Sequence, residues 1–370
     1  MIHLIQFKER MIKILEPSIG FIVGVMIGLA LTAFAGENPL NVLHILIKSS
    51  LGSNYDIGLT LSYTAPLIFS GLSVALAFHA GMFNIGSEGQ LTMAVLAATL
   101  VGVTFPQVPF PLAPLLALIA AIVAGGIWGG IAGYLRAYRG SHEVIVTIML
   151  NFIAAGWSSY IVLYKIPNPL SQNPESQIVG SGYLIKEMDP IAKMFPDTPA
   201  NISILFAILL CILVWFILKN TKLGFHIKAV GQNEVAAQYA GISAKKIRFL
   251  ALMFSGALAG FVALSEVMGS SGQFRIGFSP DYGFMGIAVA LMARNHPLGV
   301  MASAFLFGAL HKGTSDLDME TATITRDFSK ILQAVIILSV SAHGLWSLKK
   351  WRSDKNNLKK DVLQKGGEHE

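Results

Sequence analysis

Ten apolar segments recur along this chain, and their lengths constrain its fold more than any other feature. Most of them approach the roughly 20 residues that cross a bilayer as an α-helix. They cover residues 17–35, 57–80, 88–104, 111–134, 143–164, 200–218, 249–270, 284–293, 297–311 and 329–348. The chain is 54% hydrophobic and 13% charged, whereas about 25% of residues are charged in soluble domains. The sequence therefore predicts an all-α polytopic membrane protein with about ten transmembrane helices.

The charges between these segments predict the topology. The loop 219–248 carries six basic residues and one acidic residue, and the tail after Trp346 carries seven basic and four acidic residues. Both are expected in the cytoplasm, because Lys and Arg concentrate on that side of membrane proteins. Residues 165–199 and 312–328 carry more acidic than basic residues and are expected outside.

Ten spans satisfy all of these assignments. We therefore predict one transmembrane domain over residues 1–348 with a cytoplasmic N-terminus, a cytoplasmic loop at 219–248 within it, and a basic cytoplasmic tail at 349–370. The chain is expected in a membrane as a multi-pass protein surrounded by lipid. Because the basic residues cluster at span ends, they indicate topology and not nucleic-acid binding.

Two late segments are too short to cross the membrane as straight helices. Phe284–Ala293 and Pro297–Leu310 are separated by Arg294-Asn295-His296, and each falls below the length that spans roughly 30 Å of hydrocarbon. We predict two broken or re-entrant elements. The alternative is one long kinked helix, which makes nine spans and places the tail outside, against its charge.

A polar, glycine-rich break also interrupts the early apolar region. Residues 79–90 read HAGMFNIGSEGQ between two apolar stretches. Backbone that leaves the helix inside a bilayer survives only where protein or a water-filled cavity receives its polar groups. Glu88 there costs roughly 2 to 4 kcal/mol unless it is paired or hydrated. The preceding residues 71–77 weakly resemble 286–292, and paired broken segments are typical of a transport pathway.

Glycines recur every four residues on three predicted helices. Such faces allow helices to approach closely, and packing within the chain is the expected use. The positions are Gly20, Gly24 and Gly28, then Gly125, Gly129 and Gly133, and finally Gly256 and Gly260.

Motifs of enzymatic chemistry are absent from the sequence. It contains no phosphate-binding loop, no H-E-x-x-H zinc pair and no G-x-S-x-G nucleophile elbow. Cys211 is its single cysteine, and the histidines at predicted membrane borders are expected to be ordinary interfacial residues. We therefore predict no catalytic residue, no metal site and no cofactor bound by this chain.

The long cytoplasmic loop contains a short helix-like stretch, Asn233–Ala240, which Gly241 is expected to stop. Lysines flank this stretch, as suits a docking element. A plain connector with a solvated basic face is the alternative.

Several of these segments resemble one known family. The sequence is similar to the permease subunits of bacterial ABC importers for simple sugars, nucleosides and branched-chain amino acids, and within them to the nucleoside branch. The matching residues are Phe83–Gln90, Ser141–Asn151, Ala229–Gly231, Ala236–Ile242, Gly286–Leu291 and Arg294–Gly299.

The resemblance implies a location in the bacterial cytoplasmic (inner) membrane and a set of partners. These are a second permease chain, identical or homologous, an extracytoplasmic substrate-binding lipoprotein, and a separate ABC ATPase subunit that binds ATP and Mg²⁺. It also implies that the 233–242 region is the coupling helix that docks on the ATPase. Val235 stands where the family usually has Glu, and Glu234 is shifted by one position. The residues assigned to coupling are Asn233, Glu234, Ala236, Ala237, Tyr239 and Gly241.

The predicted function is therefore transport of a nucleoside or related simple sugar, with ATP hydrolysis on a partner chain. Polar residues of the breaks are expected along the substrate pathway, namely Asn84, Ser87, Glu88, Gln90 and Asn151. Helix capping and interhelical hydrogen bonding are the alternative roles for each, and the 79–90 segment could equally form an inner gate.

Two other classes of function are weighed against this one. A secondary transporter driven by an ion gradient could use Glu88 or His79 as a proton site, but Glu88 and Glu266 are the main carboxylates in apolar segments, and proton relays usually need chains of such groups. A membrane-embedded enzyme lacks its clustered acid-base pairs. The substrate, the dimer type and the choice between nine and ten spans stay open.

Overall fold

The computed structural model describes residues 19–339 except 186–188, 322, 325–329 and 332. Throughout these ranges the regular elements are helices, and extended pairing is limited to two isolated bridges, Pro167 with Ser176 and Glu175 with Arg275. The predicted helical class is therefore confirmed. The chain divides into two compact units, His44–Glu320 and the pair Met1–Leu43 with Thr321–Glu370.

The helices are numbered in chain order. They are α1 (Ile19–Phe34), α2 (Pro39–Leu51), α3 (Asn54–His79), α4 (Ser87–Thr104), α5 (Leu112–Arg139), α6 (Glu143–Tyr164), α7 (Pro190–Met194), α8 (Ser203–Asn220), α9 (Lys222–Gln232), α10 (Glu234–Tyr239), α11 (Ala244–Gly260), α12 (Tyr282–Met292) and α13 (Pro297–Glu320). After α11 the chain continues as a π-helical segment, Leu264–Ser271.

The unit formed by the two chain ends contains α1 and the helical residues 330–339, of which 332 is outside the described set. A methyl group on Gly24 would come within 2.7 Å of the Ile336 Cα atom. This glycine therefore allows a close helix contact inside the chain. The predicted tail at 349–370 lies outside the described residues.

Five described helices are long and apolar enough to cross a membrane. They are Asn54–His79, Leu112–Arg139, Glu143–Tyr164, Ser203–Asn220 and Ala244–Ser271. Each corresponds to a predicted span, so a multi-pass membrane protein is confirmed. Within the described residues, no helix of the other predicted segments meets these criteria. For example, α12 has 11 residues and is about 16 Å long, roughly half of the hydrocarbon thickness.

The late break separates two helices, as predicted. Residues 293–296 lie between α12 and α13, and two of them, Arg294 and Asn295, adopt left-handed backbone conformations with φ of 50° and 59°. Such residues interrupt a right-handed helix, so the single kinked helix is excluded. α13 continues to Glu320, beyond the predicted end at residue 311. α2, α7 and α9 are helices that the sequence analysis did not predict.

Within the unit His44–Glu320, α3 is the most enclosed span and α6 the least. Of the most apolar 18 residues, 78% are buried in α3 and 17% in α6. The apolar residues of α6 are consequently left to contact lipid, whereas α3 supplies the centre of the helix packing.

The predicted glycine face of α5 packs against α11. Methyl groups on Gly125 or Gly129 would overlap backbone carbonyl oxygens of α11, those of Gly256 and Leu252 respectively. A methyl group on Gly256 would in turn overlap the carbonyl of Gly125. The two backbones are therefore in direct contact, which confirms that these small residues serve packing within the chain.

This contact predicts different effects for two neighbouring glycines of α5. Gly129→Ala should destabilise the fold by about 1 to 3 kcal/mol, because the new methyl group forces α5 and α11 apart. Gly126→Ala is the matched control, since its methyl group would find its nearest neighbour at 3.5 Å. Thermal unfolding of the detergent-solubilised variants measures the difference. Equal midpoints for both variants would contradict the direct backbone contact.

Candidate functional site

The segment between α3 and α4 doubles back beside α3. Its turn uses Gly81, whose φ of +69° favours glycine. A methyl group on Gly81 would meet the Gly231 Cα atom at 3.2 Å, so the turn packs on the end of α9. After the turn the chain runs back alongside α3, so that Ser87 at the start of α4 lies beside Ser73 of α3. The segment is therefore re-entrant.

Two side chains, one from α4 and one from α11, bind Asn84 inside the protein together with one backbone N–H group. Its Nδ2 atom donates to Gln90 Oε1 at 2.9 Å and to Ser255 Oγ at 2.7 Å. Its Oδ1 atom accepts from the Gly86 backbone N–H at 2.9 Å and from Gln90 Nε2 at 3.2 Å. Asn84 is fully buried. This amide therefore shapes the re-entrant turn and ties it to α4 and α11.

A chain of serine hydroxyls extends this network to α3. Ser73 and Ser255 approach within 2.9 Å through their Oγ atoms, and Ser255 also donates to the Ser73 carbonyl at 2.6 Å. Ser87 donates to Ser73 Oγ at 3.4 Å. Asn84, Ser87 and Gln90 thus occupy the interhelical role that the sequence left as an alternative. Their contact with substrate stays a prediction.

Asn151 of α6 also forms hydrogen bonds to the segment between α3 and α4. Its Oδ1 atom accepts from the Gly89 backbone N–H at 2.8 Å, and its Nδ2 atom donates to the Ile85 carbonyl at 3.0 Å. These bonds satisfy backbone groups at the start of α4 that the helix itself leaves unpaired. Asn151 therefore holds the re-entrant turn against α6.

Glu88 connects the starts of two helices. It lies in the first turn of α4, and its Oε2 atom accepts a hydrogen bond of 2.7 Å from the Gly283 backbone N–H in the first turn of α12. The Ser279 side chain also hydrogen-bonds to this carboxylate. Helix N-termini carry unpaired N–H groups and a partial positive charge. Both helices therefore stabilise the charge of Glu88.

The two breaks lie at the same end of a parallel helix pair. A methyl group on Gly71 of α3 would meet Val289 Cγ1 of α12 at 2.8 Å, and one on Gly286 would meet Ser70 Oγ at 2.7 Å. Further along, His79 Nε2 lies 2.9 Å from the Asn295 carbonyl oxygen. The similar segments before the breaks are thus in direct contact, and the structure brings together the two regions that the sequence suggested as a central pathway.

A polar cavity of about 310 Å³ lies beside the start of α12. Its lining comes from α3, α13, the π-helical segment, the loop before α12 and the residue Pro199. The lining residues are Ser62, Tyr63, Pro199, Ser265, Glu266, Ser270, Gly277, Phe278, Pro280, Tyr282 and His311. Hydroxyl, carboxylate and imidazole groups share this wall with aromatic rings. Such a mixture suits a small polar ligand with a planar ring.

Local backbone geometry positions the polar groups of this cavity. Glu266 lies in the π-helical segment, a wide turn that is frequent at functional sites. The Tyr282 hydroxyl forms a hydrogen bond to the Glu266 carboxylate. The rings of Tyr63 and His311, which also line the cavity, contact edge to face, with centroids 4.5 Å apart.

Sequence reasoning missed this cavity as a site. Its one available signal was Glu266, which was only counted among the few carboxylates of apolar segments. Tyr63 lies in an apolar segment and Tyr282 just before one, where an aromatic residue is unremarkable, and His311 was assigned to the membrane border. Only the packing of α3 against α12 and α13 brings these residues together.

The segment 219–248 contains the predicted short helix, α10. The Asn233 side chain caps it by accepting from the Ala236 N–H at 3.0 Å, and Gly241 ends it with a φ of +80°. Glu234 forms a salt bridge of 2.8 Å with Arg248 of α11, so its carboxylate already has a partner within the chain. Ala237 packs inward, Ala236 is exposed, and Tyr239 is 90% exposed.

The buried network predicts that Asn84 is a stabilising residue. Asn84→Ala should cost about 1 to 3 kcal/mol, because Gln90, Ser255 and the Gly86 N–H lose a partner in a buried place. Asn54→Ala serves as the control, since Asn54 is exposed at the start of α3. Thermal unfolding in detergent compares the two. A wild-type midpoint for Asn84→Ala would contradict the assigned role.

The helix-start geometry predicts an order among Glu88 variants. Glu88→Gln keeps an acceptor for the Gly283 N–H but loses the charge that the two helix N-termini stabilise, whereas Glu88→Ala loses both. Stability should fall from wild type to Glu88→Gln to Glu88→Ala, each step by roughly 1 kcal/mol. Unfolding midpoints at low and high salt test this order. An alanine variant as stable as the glutamine variant would argue against the hydrogen bond.

Comparisons with known proteins agree with this architecture. A family model described as the permease component of branched-chain amino acid transport systems matches residues 57–341. The guanosine ABC transporter permease protein NupP of Bacillus subtilis is 36% identical over 336 residues, covering 90% of this chain and 94% of that protein. The nucleoside ABC transporter permease protein NupB of Lactococcus lactis is 35% identical, covering 89% and 91%.

A third relative broadens the range of named substrates. The glucose ABC transporter permease protein TsgB13 of Haloferax volcanii is 31% identical, covering 84% of this chain and 82% of that protein. The similarity therefore extends over nearly the whole length of several transport permeases. Together with the family match, it means that this chain belongs to the branched-chain amino acid transport system permease family and is a permease subunit of an ABC transporter.

Proposed function

We propose that this chain forms the translocation pathway for a nucleoside or a related simple sugar in an ATP-driven importer of the bacterial cytoplasmic membrane. The observation that carries the proposal is the similarity over about nine-tenths of the chain to permeases named for guanosine and nucleosides. The polar cavity beside α12 supports it, because its hydroxyl and aromatic lining suits both kinds of substrate.

The proposed route runs from the cavity towards the α9–α10 segment. Tyr282 lines the cavity, and the next residue, Gly283, is bound by Glu88. Beyond this contact the buried network around Asn84 fills the space between α3, α4 and α11. In this arrangement the route is closed on the side of α9. Opening it requires α4 to separate from α12, which makes the Glu88–Gly283 contact part of an inner gate.

We further propose ten membrane crossings with a cytoplasmic N-terminus. The parallel packing of α3 and α12 supports this topology, because it requires His79 and Asn295 to lie on the same side. Charge assigns that side to the cytoplasm, together with the loop 219–248. The loop before α12 then enters from outside, which explains how an 11-residue helix completes a crossing.

The exposed surface of α10 is the proposed docking site for the ATPase. Val235 is 61% and Tyr239 90% exposed, although apolar and aromatic side chains of this size usually find a partner when they cluster. The Glu234–Arg248 ion pair fixes α10 to α11. Through this ion pair, a movement of α10 would displace α11, which packs on α3 and α5. An ATPase with bound ATP and Mg²⁺, a second permease chain and a substrate-binding lipoprotein complete the proposed importer.

The proposal predicts that Tyr239 is needed for coupling. Tyr239→Ala should reduce nucleoside uptake and ATPase co-purification by roughly tenfold, the effect of removing one central interface anchor. Tyr138→Ala is the control, because Tyr138 is an exposed tyrosine at the end of α5 on the same predicted side. Uptake of radiolabelled guanosine into cells and pull-down of the ATPase measure both effects.

Two further conditions separate this proposal from a secondary transporter. Uptake should stop when the ATPase partner is inactivated and should persist when an uncoupler removes the proton gradient. Uptake that survives loss of the ATPase, or that ends with the uncoupler while ATP is maintained, would refute the proposed energy source and favour a gradient-driven carrier.

A further inference from the structure

We propose that the cavity beside α12 binds a ribonucleoside, with the nucleobase against the Tyr63 and His311 wall and the ribose hydroxyls on Glu266. This inference rests on the proposed function and adds to it the class of substrate and the residues that distinguish it. A free sugar and a nucleotide are the competing ligands. The cavity's shape and chemistry argue against each of them in turn.

The aromatic wall favours a ligand with a planar ring. Tyr63 comes from α3 and His311 from α13, and their edge-to-face contact fixes the two ring planes at 67° to each other. Phe278 lines the cavity from the loop before α12 and is itself held by an edge-to-face contact with Phe274, at 5.3 Å between centroids. Stacking on such rings is favourable for every nucleobase. A free sugar would leave most of this apolar ring surface unused.

The π-helical part of the lining, with Glu266, suits vicinal hydroxyl groups. An ionised carboxylate only accepts hydrogen bonds and offers two oxygen atoms, which match the two donors of a ribose 2′,3′-diol. Carboxylates bind ribose hydroxyls in the same way in dinucleotide-binding folds. The Tyr282 hydroxyl hydrogen-bonds to Glu266 and orients it. Ser265 and Ser270 add hydroxyl groups to the same π-helical wall.

Size and lining favour an uncharged ligand over a phosphorylated one. The cavity volume of about 310 Å³ is at the lower end of the roughly 300 to 1,000 Å³ of small-molecule sites. Among the described residues that line it, none is Lys or Arg, whereas one is acidic. A phosphate group would therefore find one acidic side chain and no Lys or Arg in the lining itself. An uncharged nucleoside satisfies all of these conditions.

The test uses the complete importer in proteoliposomes and four variants of this chain. Uptake of guanosine, 2′-deoxyguanosine and ribose is measured for wild type, Tyr63→Leu, Tyr63→Phe, Glu266→Gln and Tyr55→Leu. Tyr55 is a tyrosine of the same helix that does not line the cavity, so Tyr55→Leu is the matched control. Because one binding lipoprotein delivers substrate to every variant, changes between variants report on the permease.

Tyr63→Leu should lower guanosine uptake by roughly tenfold through loss of stacking, while Tyr63→Phe and Tyr55→Leu keep most of it. Glu266→Gln should lower uptake of guanosine more than that of 2′-deoxyguanosine, which lacks one of the two bound hydroxyls. The ratio between these two substrates should therefore fall by several-fold. This ratio remains informative when a variant reduces the amount of assembled importer.

Four outcomes would overturn the inference. Unchanged guanosine uptake in Tyr63→Leu excludes the aromatic wall as the base site, and an unchanged substrate ratio in Glu266→Gln excludes the carboxylate as the ribose site. Wild-type uptake of ribose without guanosine refutes the nucleoside class but leaves the importer proposal intact. If wild type, with an active ATPase, takes up none of the three, the proposed function fails and the inference fails with it.

Discussion

Helices that begin or end inside this protein leave backbone N–H and carbonyl groups without hydrogen-bond partners, and lipid cannot supply them. Several polar side chains provide these missing partners. Glu88 and Asn151 bind N–H groups at the starts of α12 and α4, and His79 pairs with the Asn295 carbonyl at the end of the α12 break. Asn84 does the same for the re-entrant turn. The polar break is thus a set of closed hydrogen bonds, and its cost in a membrane is offset by its partners.

Glycines determine which helices pack in direct contact. The backbones of α5 and α11 touch, and Gly71 and Gly286 allow α3 and α12 to approach closely. The polar cavity is lined where the π-helical segment and the loop before α12 meet α3 and α13. In the proposed transport cycle, Tyr282 of α12 lines the cavity. The next residue, Gly283, closes the route on the side of α9 by binding Glu88. One short helix therefore links substrate contact to gating.

The described structure also gives α10 a defined attachment. In the family to which this chain is similar, a Glu usually stands at the position of Val235, and here the neighbouring Glu234 pairs with Arg248 of α11. The Glu234 carboxylate therefore attaches α10 to α11, while Val235 and Tyr239 of α10 are exposed to solvent. The ion pair thus links α10 to α11, which packs on the glycine face of α5. This arrangement connects the proposed ATPase docking surface to the centre of the bundle.

Periodic apolar length, charge and small-residue spacing determined the helical class, five of the spans, the division between α12 and α13 and the short helix at α10, because these features depend on local sequence. They also identified Glu88 as a residue that needs a partner. The partner itself, Gly283, lies 195 positions away, and a backbone N–H has no side-chain signal. The cavity of Tyr63, Glu266, Tyr282 and His311 was likewise decided only by tertiary packing, since each residue alone is ordinary in its own segment and acquires its role from the parallel contact of distant helices.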